Sequence, residues 1–366
     1  MKKRLSCLVC FIVVIGVGMG GFGSPTPSPS IFFKVMAFLS PTSASAQASV
    51  KLIKLKFAIH SPSLHHSYRN LIAPWAAEVE KRTEGRVKVT VYTDQQLGKL
   101  PEMYDDLVRG TSDIARILPV FIMGRFPLEG VFHLPTMVPG DVGDPTCTAI
   151  RTMVYEKYLT PLYFKDIKIL WTGRFGLNSL LMAGMPVRRL EDVKGKIIGF
   201  GGGKTPPLVL KALGASPESI QSNDVYTSLE KKVIDGMMFP LDSLRGYKLS
   251  EVVKYVTHLD FGSATNFVAM RMAAWNSLSP ADQKIITDLN LWALDAQGKT
   301  YRNDAQLAIE TGKKAGIEFI ELSPAERQRW IDAVRPVDKQ WIVEMDGMGL
   351  PATKMYNDIV QIVSKK

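Results

Sequence analysis

The sequence predicts an α/β protein of two lobes with a helical tail. Three observations carry that expectation. From about residue 50, apolar spacing near two gives way to helical spacing and then repeats. A second set of short strands and helices fills the middle of the chain, and long amphipathic stretches close it. A length of 366 residues suits about two domains.

The leader comes first. Lys2, Lys3 and Arg4 precede an apolar run from Leu5 to Phe22, and Ala44-Ser45-Ala46 offers a small-residue cleavage site before Gln47. This predicts export, with residues 1–46 as a signal peptide. A Pro/Ser stretch and a second apolar run make the leader long, so an uncleaved membrane anchor is the alternative, although Gly16, Gly18, Gly20 and Gly21 weaken the span.

The first predicted strand follows, with Leu52, Lys54 and Lys56 interleaved with Ile53, Leu55 and Phe57. A helix is expected over Tyr68–Arg82, a strand over Val87, Val89 and Val91, and a helix over Pro101–Arg109 that ends at Gly110. Strands separated by helices imply parallel pairing, with ligand sites at the carboxyl ends of the strands. The second lobe begins with a strand from Ile167 to Thr172 and a segment from Val193 to Phe200. Helices over Pro206–Leu213 and Asp224–Lys232 follow, then a strand around Met237. Another strand, Phe267–Met272, leads into helices over Pro280–Gly312 and from Pro324 to about Asp346. Ser279 and Ser323 stand as N-caps, each before a proline at the first helical position.

Composition narrows the function. The net charge of +10 includes Lys2, Lys3, Arg4 and Lys34 with no acid in the leader, which leaves +6 scattered over the remainder and argues against nucleic-acid binding. Of the three cysteines, Cys7 and Cys10 fall in the leader, and Cys147 alone cannot form an internal disulfide. The run Gly199-Phe200-Gly201-Gly202-Gly203-Lys204-Thr205 misses the phosphate-loop spacing, since Ile198 stands where glycine is needed, and Pro206-Pro207 removes N–H donors. Ser228-Leu229-Glu230-Lys231 reads as a solvated helix face. His60, His65 and His66 cluster after the first strand, but no metal-ligand spacing accompanies them. They are expected to line a pocket or cap a helix, with no metal, cofactor or catalytic residue.

Several ordered stretches between Lys56 and about Leu291 resemble the solute-binding proteins of tripartite ATP-independent periplasmic (TRAP) transporters, of the dicarboxylate-binding DctP type. They include Trp75 to Val89, Gln96-Leu97-Gly98, Leu107 to Ile114, Leu190 to Ile197, Leu213 to Pro217, Asp224 to Glu230, and Val233 to Gly236 with Pro240. The resemblance implies a two-lobed, type II-like periplasmic solute-binding fold with a long connecting helix and a helical C-terminal tail. Residues 47–170 would form the first lobe, completed by about 265–366, and residues 171–264 the second. It also implies capture of a small molecule between the lobes in the periplasm, delivery to TRAP membrane permease subunits, and no chemistry on the ligand. A ligand sensor, or less favourably an enzyme, would fit the same scaffold.

The departures from the family pattern shape the expected site. An arginine that grips the ligand carboxylate in much of the family is matched here by Gly199. A second basic position falls near Met185, and two polar positions before Pro240 are held by Met238 and Phe239. Either Arg116 or Arg174 replaces the lost cation, or the ligand is less polar than a dicarboxylate and packs on Met185, Met238, Phe239 and Trp171.

Overall fold

The computed structural model describes residues 52–365 apart from Asp141. The expected signal peptide, residues 1–46, therefore lies outside the described residues. The strands, in chain order, are β1 (Ile53–Ala58), β2 (Val87–Tyr92), β3 (Ile114–Ile117), β4 (Ile167–Arg174), β5 (Asn178–Met182), β6 (Ile197–Phe200), β7 (Ser216–Ser219), β8 (Gly236–Pro240), β9 (Tyr255–Phe261), β10 (Thr265–Arg271) and β11 (Glu318–Ile320).

They form two sheets, ordered β2-β1-β3-β10-β4 and β11-β9-β5-β8-β6-β7. The strand–helix alternation gives the parallel pairs β1–β2, β1–β3, β6–β7 and β6–β8. Strands that arrive from the other lobe pair antiparallel instead: β10 lies between β3 and β4, and β5 between β8 and β9. Both sheets are thus mixed, because a crossing strand enters its new sheet without a crossover helix.

The chain crosses between the sheets at residues 175–177 and again at 262–264. The two crossings are bonded to each other: Phe175 N–H donates to Ala264 O at 3.0 Å, and Ser263 Oγ donates to Phe175 O and Gly176 O, both at 2.9 Å. At Gly262 a Cβ would stand 2.3 Å from His133 O, so a side chain there would push the crossing off the first lobe. A third link is the helix Pro280–Lys314, about 52 Å long at 1.5 Å per residue. Ile286, Leu289 and Ala293 enter the core around Phe57 and Trp75, whereas Ala308 enters the core around Val256 and Met237.

The serine caps form as expected. Ser279 Oγ accepts from Asp282 N at 3.1 Å and Ser323 Oγ from Glu326 N at 3.2 Å. The first expected helix differs in its opening turn: Tyr68–Ile72 is a wide π-type turn, and the α-helix runs over Ala73–Arg82. Pro74 has no N–H to bond back into that turn. The lobe limits shift as well. β4 continues to Arg174 inside the first sheet, so residues 171–174 do not belong to the second lobe. After the long helix, β11 pairs with β9 at the open edge of the second sheet, so the tail does not return wholly to the first lobe. The helix Pro324–Gly347 lays Trp330, Val334 and Trp341 into a core shared with Phe132 and with Val209 and Leu210.

Candidate functional site

The parallel strands of both lobes end toward one cavity of about 360 Å³, the size of a small-molecule site. The loop after β1 supplies His60, Ser61 and His65; that after β2, Gln95 and Lys99; that after β3, Leu118, Val120 and Phe121. From the second lobe come Phe200 and Gly201 at the end of β6, Gln221 and Asn223 beyond β7, and Met238, Phe239, Asp242 and Tyr247 at and beyond the end of β8. Phe175 and Ser263 contribute from the crossings, and Asn178 from the start of β5. Carboxyl-end loops carry ligand sites in open α/β sheets because helix N-termini and free backbone groups converge there.

Phe121, Phe175, Phe200, Phe239 and Tyr247 give the wall aromatic surface. Phe239 stacks on Tyr247 with ring centroids 5.7 Å apart. Phe175 has the guanidinium of Arg116 5.5 Å from its ring centroid and Tyr301 edge-on behind it. Lys99 is the one lysine or arginine among the lining residues. Burial, with Arg116 next in weight, lowers the His65 pKa to about 4 and takes His60 well below its ordinary value. Burial, then Arg174, lowers His133 to about 4, and burial lifts the Tyr247 hydroxyl to about 12. At neutral pH these side chains present hydrogen-bonding groups without charge.

The expected site residues separate into two groups. Met238 and Phe239 line the cavity, at the end of β8. The other five lie elsewhere among the described residues. Arg116 sits within β3, 1% exposed, and donates to Asn266 Oδ1 at 3.2 Å, Ser67 Oγ at 3.0 Å and Tyr301 Oη at 2.7 Å. All three acceptors are neutral, so its charge stands one layer behind the cavity wall. Arg174 is fully buried, and its Nη1 holds Val138 O, Gly140 O and Cys147 Sγ inside the first lobe. Trp171 packs against Trp75 and Phe57 in a core. Met185 is 51% exposed and takes a contact from Lys196 Nζ.

Gly199 faces the second lobe's interior. A Cβ there would meet Met237 Sδ at 2.6 Å and Ile234 Cδ1 at 2.9 Å, which leaves no room for a side chain aimed at the cleft. Although Gly199 matches the family's ligand-gripping arginine in sequence, it contributes no side chain to the cavity. Gly199→Arg is expected to destabilise the protein by about 3 kcal/mol or more through overpacking, read as a lowered urea midpoint. An unchanged midpoint with tighter dicarboxylate binding would reverse this. The glycine run that fails as a phosphate loop places Gly201 and Gly202 on the cavity wall, while Lys204 points outward, 3.8 Å from Glu344.

The residues that sequence reasoning missed are Phe121, Phe175, Tyr247, Asn178, Lys99 and Asp242. Their shared signal is position, each at most seven residues from a strand end.

Comparison with known proteins agrees with this architecture. The family model DctP, bacterial extracellular solute-binding protein, family 7, matches residues 57–344. The chain is 26% identical over 292 residues to the C4-dicarboxylate-binding periplasmic protein DctP of Rhodobacter capsulatus, covering 75% of this chain and 82% of that one. A TRAP solute-binding protein of Rhodoferax ferrireducens T118, solved with copurified benzoate, superposes with a TM-score of 0.79 at 22% identity, over 86% of this chain and 98% of that one. A marine-metagenome TRAP solute-binding protein specific for aromatic acid ligands, solved with 3-hydroxybenzoate, gives 0.78 at 25% identity, over 86% and 99%.

Proposed function

This chain belongs to the bacterial extracellular solute-binding proteins of family 7, the DctP type of TRAP transporters, and we propose that its cargo is a small ring-bearing organic acid, less polar than a dicarboxylate. As a TRAP solute-binding protein it is a transport subunit that captures a small organic ligand. The observation that carries the cargo reading is the interlobe cavity itself, walled by Phe121, Phe175, Phe200, Phe239 and Tyr247 with Lys99 as the lining cation. A ring fits between these faces by offset or edge contact. One carboxylate finds Lys99 and the field of Arg116; a second would enter a closed, water-poor space without a paired cation. The aromatic-acid ligands of two structural neighbours are in keeping with this.

Capture proceeds by lobe closure about the bonded crossings at Phe175 and Ser263, since each contact made only in the closed form shifts the open–closed balance toward it. We further propose that the leader is removed after Ala46, that the protein works in the periplasm, and that it hands the ligand unchanged to the membrane permease subunits. Family members named as periplasmic and the basic–apolar–small leader support this. Mass spectrometry of protein recovered from the periplasm tests these points together. The chain is expected to begin at Gln47, and denaturation is expected to release an aromatic or cyclic monocarboxylate. A membrane-bound chain retaining its first 46 residues, or release of a C4-dicarboxylate, would contradict the proposal.

A further inference from the structure

We propose that His65, His66 and Asp242 form a binding site for a divalent transition-metal ion, zinc-like in its preferences, on the cleft wall. One Nδ1 or Nε2 from each imidazole and a carboxylate oxygen of Asp242 lie within 4.8 Å of one another, the Nε2 of His66 being 3.7 Å from Asp242 Oδ2. Ligands bonded to zinc at about 2.0–2.2 Å in a tetrahedral arrangement stand about 3.3–3.6 Å apart, so side-chain shifts of about 1 Å close the shell. Two imidazoles and one carboxylate suit zinc, nickel or copper rather than magnesium or calcium.

A separate observation points into the same space. His66 is 8% exposed, and its Nε2 is buried without a hydrogen-bond partner while aimed at Asp242. On the other side of that ring Nδ1 lies 3.3 Å from Asp304 Oδ2, outside hydrogen-bond geometry as it stands, and a small turn of the ring would let Nδ1–H donate to that oxygen and leave the lone pair on Nε2. A carboxylate behind a histidine is the outer partner that orients metal-bound imidazoles. Arg245 bonds to Asp304 in turn and fixes it. For His65, Nδ1 accepts from the Ser67 backbone N–H at 3.2 Å and lies 2.8 Å from Ser67 Oγ, so ligation through Nε2 moves the ring proton to Nδ1, gives up the backbone bond and leaves Ser67 Oγ to accept that proton.

His65 and Asp242 also line the cavity, so three protein ligands would leave one coordination position open toward the cargo. That position would take a carboxylate oxygen, a step that rests on the cargo proposed above; the ion site does not.

The test uses protein stripped with EDTA and then dialysed, with no organic acid present. Calorimetric titration with zinc chloride is expected to give one ion per chain, and cobalt chloride is expected to produce the visible d–d bands of a low-coordinate nitrogen–oxygen site. His66→Ala and Asp242→Asn are expected to abolish saturable binding, and Asp304→Asn to weaken it by about 10- to 100-fold. His258→Ala, remote from the cleft, keeps the unmodified affinity. Absence of stoichiometric zinc binding and of cobalt bands in the unmodified protein would overturn the site, whatever the variants' stability. Equal affinity in His66→Ala and unmodified protein would do so too. Metal binding that persists while aromatic acids fail to bind would sink the cargo reading alone.

Discussion

Lowering the pH from 7.5 to 5 is expected to remove about 3 kcal/mol or more of folding stability from the metal-free, ligand-free protein. The cause is a set of histidines buried without charge around the cavity. His65 and His133 are lowered to about 4 and His66 to about 2, with burial the largest cause in each, and His60 is lowered in the same direction. An unfolded histidine takes a proton near pH 6.5, whereas these remain neutral in the fold, so their stabilisation is fully present above 6.5 and is lost as the pH falls below it. At pH 5 each of the three with a stated value forfeits about 2 kcal/mol. Three acids oppose the loss. Burial raises Asp338 to about 6, lifts Glu129 well above the carboxylate range and raises Asp304, so all three favour the fold more as the pH drops. Asp338 returns about 1.4 kcal/mol at pH 5, which leaves the histidines dominant. Calorimetric melting in EDTA at pH 7.5 and 5 checks this, with a fall of about 10 °C expected for a chain of this size. A melting temperature that is flat or rising toward pH 5 would mean that the histidines are not buried as described.

Replacing Arg116 with methionine is expected to weaken binding of an aromatic carboxylate by about twentyfold while leaving a neutral analogue such as benzyl alcohol nearly unaffected. The guanidinium lies 5.5 Å from the Phe175 centroid, and a carboxylate on the cavity side of that ring stands about 9 Å away, where an effective dielectric near 20 gives about 2 kcal/mol. The same change strips donors from Asn266, Ser67 and Tyr301 and should lower stability by about 3 kcal/mol, partly offset by relief of a buried charge. Paired calorimetric titrations with benzoate and benzyl alcohol separate the two effects. Equal losses for both ligands would show that Arg116 only shapes the pocket, and no loss for benzoate would remove it from the electrostatics of the site.

Much of the architecture follows from patterns that operate within twenty residues. Alternation at Ile53–Phe57 and Val87–Val91, the Gly110 helix stop, and Ser279 and Ser323 before prolines each specify a local element, and each element forms. β4 and β5 are harder to read, because nearly every residue of Leu170–Arg174 and Ser179–Met182 is buried on both faces and no alternation survives. Pairing direction depends on where the chain crosses between sheets, which periodicity does not record.

The site was legible only at the ends of local motifs. His60 and His65 after the first strand, and Met238 and Phe239 before Pro240, lie on the cavity wall. Arg116 illustrates the limit. In the short buried strand Ile114–Ile117, nothing in the sequence tells which sheet face it occupies, and it turns toward Tyr301 on a helix 185 residues away. Gly199 shows the converse: its match to a family arginine held in sequence, but Met237, Ile234 and Ile220 fill the space that an arginine would need. The aromatic wall of Phe121, Phe175, Phe200, Phe239 and Tyr247 is assembled by four strand ends, those of β3, β4, β6 and β8, and has no contiguous signature.

The central claim is that the cleft holds one ring-bearing monocarboxylate and excludes dicarboxylates. Isothermal calorimetry of the unmodified protein with benzoate, 3-hydroxybenzoate and succinate, followed by mass analysis of the recovered compound, tests it most directly. Saturable one-to-one binding of at least one aromatic acid, recovered unchanged, with succinate at least about a hundredfold weaker for the several kcal/mol that an unpaired carboxylate costs, is the expected result. Tight succinate binding with no aromatic acid bound would contradict it.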